Sequence, residues 1–266
     1  MSGPGPSSLA SLDGEITSAA EARIPATDEG LIRGDGAFEV IRVYDGELFA
    51  FDQHMARLER SGANLRLPID LEAIRADAYR LVAQAGSGPD HDLLRVIITR
   101  GGRRLMLTEQ LPQTPERLRL KSVTFAPTRI LDGIKSLSYA ANMLAGRLAR
   151  EEGYDEALLV TPHGRVLEAP TSSVFWVEGE QLLTPPLEDH ILASITRGLV
   201  IEVTRAEEQG CPLERLLAAD AVFLASTTRE VQPVVAVDDI TYPPDHDVAT
   251  RAAVAVEDRI RSELAG

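Results

Sequence analysis

Residues 36–51, GAFEVIRVYDGELFAF, alternate in polarity and are rich in β-branched and aromatic side chains. Such a period of two suits a strand with one buried face, and the YDGE turn inside the run predicts a β-hairpin. The next stretch changes period. In DQHMARLERSGANLRL, Met55, Leu58 and Leu65 fall near one helical face, and Asp52 is placed to cap the N-terminus. DLEAIRADAYRLVAQAG predicts a second helix that stops at a glycine, and DLLRVIITRGG predicts a further strand. A chain that changes period in this way, hairpin then helices then strand, is restricted to an α+β architecture.

Leu111–Arg119, LPQTPERLR, carries two prolines in polar company and reads as a linker. It divides the chain into a small N-terminal domain, residues 1–110, and a larger domain, residues 120–266. MSGPGPSSLA, residues 1–10, reads as a flexible tail. Beyond the linker the pattern predicts a strand at LKSVTFAP, a helix at YAANMLAGRLAREEG, and strands at EALLVTPHG, SSVFWVEGE and QLLTPP. A helix at SITRGLVIEVTRAEEQG, a strand at AVFLAS and a C-terminal helix over DVATRAAVAVEDRIRSELAG follow.

Hydrophobic residues make up 44% and charged residues 26% of the 266, the proportions of an ordinary globular protein. A net charge of −14 argues against a general nucleic-acid or anionic-membrane binder. Cys211 is the single cysteine, so no intrachain disulfide forms, and the five histidines are scattered without metal-ligand spacing. The start lacks the basic and long apolar regions of an export signal, and no apolar run is long enough to cross a bilayer. A cytoplasmic protein is expected.

Charge usage isolates one residue. The 27 basic residues are 25 arginines and two lysines, Lys121 and Lys135. Lys135 stands in GIKSLSYAAN, and a lysine, unlike an arginine, can lose its proton and attack a carbonyl. Four further pieces stand beside it. Glu168 in VLEAPTSSVFWV is a carboxylate between a turn and a strand, able to hold a proton on a pyridine-type nitrogen, although most such residues are merely solvated. Ser194 and Thr196 in ASITRGLVIEV open an apolar helix, as simple caps or as an anion site. Ser226, Thr227 and Thr228 follow a strand in FLASTTREVQPV, and such a turn suits an anion. Arg57 in HMARLERSG is either a surface residue with a packed stem or a fork for phosphate. An amine, a carboxylate, an arginine and two hydroxyl-rich anion sites are the parts needed to hold pyridoxal phosphate.

In order and wording, DEGLIRGDGAFEVIRV, HMARLERSG, IKSLSYAANMLA, GYDEALLV, GRVLEAPTSS, LTPPL, ILASITR and FLASTTREVQPV resemble the class IV, or fold type IV, pyridoxal-phosphate enzymes, from about Asp28 almost to the end. The family includes D-amino-acid and branched-chain aminotransferases, (R)-selective amine transaminases and aminodeoxychorismate lyases. The resemblance implies a small α/β N-terminal domain, a larger cofactor domain with a β-barrel-like core, and a homodimer. It implies that Lys135 is the Schiff-base lysine and proton carrier, and that Arg57 holds the cofactor phosphate. The N–H groups of Ile195 and Thr196, the Thr196 hydroxyl and Thr227 complete the phosphate cup. Glu168 is then the pyridine-nitrogen carboxylate, Leu192 the residue packed under the ring, and Thr228 the N–H donor to the substrate carboxylate.

Among these branches IKSLS, STT and GDGAFEVIRV are most similar to D-amino-acid aminotransferases, with Phe38 and Val40 expected to line the substrate. Lyases of the family carry a proton-delivering threonine where Val40 stands, which argues against the lyase. KSLSYAANM and LEAPTSS are nonetheless similar to sequences called aminodeoxychorismate lyase, so that alternative stays open, as do branched-chain and (R)-amine transaminases. D-amino-acid enzymes usually place an arginine and a histidine after TRG. This chain has TRGGRRLML, which offers Arg103 or Arg104 and no histidine. A Rossmann reading of RGDGAF fails, because the third glycine is missing and a strand follows; a serine-hydrolase reading fails for want of a G-x-S-x-G elbow.

Overall fold

A computed structural model describes residues 5, 7–243 and 245–265. The chain divides into two compact units, residues 1–113 with 134–139, and residues 114–133 with 140–266.

The first unit is a six-stranded antiparallel sheet with two long helices. Its elements are β1 (Leu9–Leu12), β2 (Glu15–Ser18), α1 (Glu29–Arg33), β3 (Gly36–Tyr44), β4 (Glu47–Leu48), α2 (Phe51–Leu65), α3 (Leu71–Ala85), β5 (Leu93–Thr99) and β6 (Arg104–Glu109). Strand order is β2-β1-β6-β5-β3-β4. The predicted alternation holds: Ala37, Ile41 and Val43 of β3 enter a core with Met55 and Leu58 of α2 and Ile74 and Leu81 of α3. Of the expected tail, residues 1–4 and 6 lie outside the described residues, whereas Leu9 and Ala10 belong to β1 and pair with Ser18 and Thr17 of β2. Ala10 is also opposite Leu107 of β6 and fully buried, which explains why the chain is held there. The start of α2 differs from expectation as well. Ala50, in the left-handed region at φ 53°, turns the chain straight into a helix beginning at Phe51. Phe51 is buried, so the hydrophobic anchor sets the start one residue before Asp52, which pairs with Arg75 instead. Asp70 caps α3 by accepting from the Ala73 N–H, and Gly86 ends it.

Residues 111–117 connect to the second unit's first strand. That unit contains β7 (Leu118–Thr124), α4 (Ala140–Glu151), β8 (Glu156–Val160), β9 (Ser173–Glu178), β10 (Gln181–Thr184), α5 (Ile195–Thr204), β11 (Glu207–Glu208), α6 (Leu213–Leu217), β12 (Ala221–Ser226), β13 (Glu230–Val237), β14 (Ile240–Thr241) and α7 (Asp247–Leu264). Its eight-stranded sheet runs β11-β10-β9-β12-β13-β7-β8, with β14 on β13. The β13–β7–β8 side is parallel and the β10–β9–β12–β13 side antiparallel. Both faces are covered, so β8 reads as an unbroken apolar run after Glu156: Leu158 enters the core with Trp176 and Leu224, and Leu159 packs with Ala145 and Ala149 of α4. Among the described residues no helix is long and apolar enough to cross a membrane, and no group of three or more His, Cys, Asp or Glu is placed to hold a metal ion.

Candidate active site

In the first unit, β3 divides the chemistry between its two faces. Glu39 shares the phase of Ala37 and Ile41 and is wholly buried. His54 and Arg57 of α2, three residues apart on one helical face, both reach it. Arg57 grips the carboxylate with Nε to Oε1 at 2.8 Å and Nη2 to Oε2 at 2.6 Å, and His54 Nδ1 lies 2.8 Å from Oε2. Burial alone would raise the Glu39 carboxyl, but Arg57 first and His54 second outweigh it and bring it to about 2. Burial lowers the proton affinity of His54 against the opposing pull of Glu39. Arg57 already balances the carboxylate, and a second buried cation would be left without a counter-charge. His54 is therefore the neutral ring whose Nδ1–H donates.

One turn beyond Arg57, Ser61 Oγ accepts the Lys135 N–H at 3.1 Å. The Lys135 carbonyl accepts from Phe38 N–H at 3.0 Å, and Leu137 N–H donates to Gly36 at 2.9 Å. Ala37 and Ser136 form an antiparallel bridge. The 134–139 segment thus completes the free edge of β3, with both backbone groups of Lys135 held. At Gly36 a Cβ would run into the Ile98 carbonyl and Leu137, so only glycine lets both neighbours approach. The Lys135 amine lies 4.5 Å from the Phe38 ring centre and 5.8 Å from that of Tyr139, and the two rings meet edge to face. Val40 lies on the same strand face as Phe38 and is half-buried. Arg103 and Arg104 are already engaged: Arg103 Nη1 bonds Asp13 at 2.7 Å and Arg104 Nε bonds Asp77 at 2.6 Å.

The second unit holds the remaining predicted residues. Leu167 N–H bonds Leu159, and the Glu168 carbonyl accepts from Leu159 N–H at 2.8 Å, which fixes the backbone of Glu168. Its Oε1 accepts the Leu192 N–H at 3.2 Å, so the carboxylate and half-buried Leu192 meet directly. Ser194 caps α5 by accepting from the Arg197 N–H, and Ile195 and Thr196, its first residues, have N–H groups without intrahelical acceptors. Thr196 is buried. Thr227 and Thr228 lie in the three-residue turn between β12 and β13, closed by the pairing of Ser226 with Glu230. Thr228 Oγ1 is 3.3 Å from Ser226 Oγ.

Sequence reasoning did not single out Glu39 and His54. A signal existed: Glu39 is a charged residue at an apolar phase of an alternating strand, which calls for buried partners.

Residues 36–237 match the family "Amino-transferase class IV". A putative branched-chain-amino-acid aminotransferase of Methanocaldococcus jannaschii is 31% identical over 250 residues, 85% of this chain and 87% of that protein. A bifunctional aminodeoxychorismate lyase / D-amino acid transaminase of Mycobacterium tuberculosis is 32% identical over 243 residues, 80% of this chain and 83% of that protein. Among solved structures, the fold IV-transaminase CpuTA1 from Curtobacterium pusillum is similar with a TM-score of 0.86 at 27% identity, covering 96% of this chain and 99% of that one. The chain belongs to the class IV aminotransferases, a family of pyridoxal-phosphate-dependent transaminases.

Proposed function

We propose that the chain moves an amino group from a D-amino acid to a 2-keto acid, with pyridoxal phosphate carried on Lys135. The observation that carries this reading is the setting of Lys135: a lysine pinned at both backbone groups, its amine against two aromatic rings. The other lysine, Lys121, is paired with Glu152 at 3.3 Å and Asp238 at 3.4 Å, and its hydrogen bond with Glu152 holds its proton more tightly than usual.

The donor set fits the cofactor: a primary amine for its aldehyde, a carboxylate for its ring nitrogen, and helix N–H groups with hydroxyls for its phosphate. When bound, the cofactor supplies an electron-withdrawing ring that lets the substrate Cα release a proton. Lys135 would accept that proton and give it back, serving as base and then as acid. Glu168, whose carboxylate accepts the Leu192 N–H, would hold a proton at the ring nitrogen, and Leu192 would supply an apolar contact to the ring. Ile195, Thr196, Thr227 and Arg57 hold the phosphate. For Arg57, Glu39 fixes the plane of the guanidinium. Thr228 offers its N–H to the substrate carboxylate, and Phe38 and Val40 line the substrate. Of Arg103 and Arg104, Arg103 is the better candidate for the carboxylate, because its buried Nε has no hydrogen-bond partner among the described residues.

The relatives favour two further readings, an aminodeoxychorismate lyase giving 4-aminobenzoate and pyruvate, and a branched-chain transaminase. By the family resemblance we propose a homodimer, tested by sedimentation equilibrium, and from the single cysteine and the absence of an export-signal pattern a cytoplasmic protein. Visible absorption of the holoenzyme separates the activities. D-alanine, L-leucine, L-glutamate and an (R)-amine are added separately with a 2-keto acid absent. Bleaching by D-alanine is expected. Bleaching by L-leucine alone would move the assignment to the branched-chain group. No change with any of them, with 4-aminobenzoate formed from aminodeoxychorismate, would establish the lyase.

A further inference from the structure

The turn that carries Thr227 and Thr228 is tied to the interior by a residue with no assigned role. Arg229 N–H donates to the Ser226 carbonyl at 3.1 Å, closing the turn, and Glu230 beyond it sits in the left-handed region at φ 54°, where a side chain is disfavoured. The Arg229 side chain is nearly buried, 9% exposed. Its Nη1 donates to Gln232 Oε1 at 2.7 Å and its Nη2 to Glu156 Oε2 at 3.1 Å. Glu156, 8% exposed at the start of β8, also accepts from the Ala157 N–H at 3.1 Å. A Cβ at Gly146 of α4 would lie 2.9 Å from Glu156 Oε1, so a glycine leaves room for the carboxylate. Gln232 in turn donates to Thr114 Oγ1 at 3.2 Å and to the Pro115 carbonyl.

One guanidinium therefore fixes the β12–β13 turn to β8, beside α4, and to the entry segment of the unit. A buried ion pair is a poor source of stability compared with apolar packing, because both charges lose water. What it does supply is a fixed direction, since Nη1 and Nη2 each meet a different acceptor, although the buried Nε has no hydrogen-bond partner among the described residues.

We propose that Arg229, through its ion pair with Glu156, is a positioning residue that sets Thr227 for the cofactor phosphate and the Thr228 N–H for the substrate carboxylate. This rests on the roles proposed above for those two threonines. It predicts a loss confined to phosphate and carboxylate recognition. The test replaces the pair by apolar residues, Arg229→Met with Glu156→Leu, which removes the clamp without stranding a buried charge. Apoenzyme is titrated with pyridoxal phosphate and with pyridoxal, which lacks the phosphate, and KM and kcat are measured for the amino donor. The expected result is a melting temperature near that of the unaltered protein and an affinity for pyridoxal phosphate lower by about tenfold or more. Affinity for pyridoxal stays unchanged, and KM rises more than kcat falls. Affinity for pyridoxal phosphate and KM within about twofold of the unaltered protein would overturn the proposal. If the double variant does not fold, Arg229→Lys serves, since an ammonium has no fork to span both acceptors; it is expected to weaken pyridoxal phosphate severalfold, and an unchanged affinity overturns the proposal. Thr227→Val separates the two levels. If it weakens pyridoxal phosphate while the clamp variants do not, the clamp alone is wrong; if it has no effect, the phosphate role of the turn fails and the clamp falls with it.

Discussion

Lys135 and the Glu39 cluster are where single side chains decide the outcome. Lys135 contributes its backbone to the β3 edge and its amine to the aromatic pair. Lys135→Ala keeps the first contribution and deletes the second, so transamination should fall below detection while the melting temperature moves by only a few degrees. Lys135→Arg should not rescue it, because an arginine does not give up its proton. A coupled assay for keto-acid formation checks both, and turnover by either variant would remove Lys135 from the chemistry. Around Glu39 the prediction concerns pH. Its carboxyl sits at about 2 against an ordinary 4.5, so its stabilisation is complete above pH 4.5 and is lost as pH falls towards 2. That difference corresponds to about 3 kcal/mol. His54 acts in the same direction but earlier: lowered from 6.5, it stays neutral when the unfolded chain takes up a proton, so stability begins to fall below pH 6.5. Urea unfolding between pH 7.5 and 5 should show this loss in the unaltered protein and much less of it in His54→Gln. Equal slopes would mean that His54 is charged in the folded state. Glu39→Gln leaves Arg57 buried without its counter-charge and should cost about 3–5 kcal/mol at pH 7.

At the scale of elements, an alternating strand, unbroken apolar strands and helices with a clear period were legible: β3, β8, β12, α2, α3 and α7 all stand where the pattern puts them, apart from the one-residue shift at the start of α2. The elements that were not legible share a physical cause. β1 and β2 are four residues each, too short for a period to register; β1 is held by β6, and β2 by β1, rather than by their own propensity. β13 contains Pro233, which cannot donate to a ladder. It is accommodated because pairing with β7 begins at Val234, one residue later. The motif residues were legible only as a set, and their partners were not, because the bond of Glu168 to the Leu192 N–H spans 24 positions and that of Lys135 to Ser61 spans 74. The segment that carries Lys135 also pairs with β3 at Gly36, through the Leu137 N–H. Gly36→Ala pushes a methyl group into the Ile98 carbonyl, which cannot yield without opening the β3–β5 ladder. It should cost about 1–3 kcal/mol and also lower turnover, since the displaced segment is the one that carries Lys135. A variant with unaltered stability and rate would show that this edge does not position the lysine.

For the molecule as a whole, the proposed cofactor binding predicts a linkage to folding. The groups assigned to the cofactor are far apart in the sequence: Arg57, Lys135, Glu168, the start of α5 at Ile195, and Thr227. Under the roles proposed above, a cofactor that binds the folded chain and not the unfolded one stabilises the fold by mass action. At a free concentration of about 100 times Kd the gain is about 2.7 kcal/mol. For a chain of this size each kcal/mol shifts the melting temperature by about 2–4 °C, so removal of pyridoxal phosphate should lower it by roughly 5–10 °C. Lys135→Ala removes the proposed covalent attachment and leaves the other proposed contacts, so the same addition should produce a smaller upward shift rather than none. Differential scanning calorimetry of apoenzyme and holoenzyme, each with and without the substitution, measures all four states. Identical melting of unaltered apoenzyme with and without saturating pyridoxal phosphate would mean that these residues do not bind it. An equal shift in both proteins would mean that the cofactor binds without using Lys135.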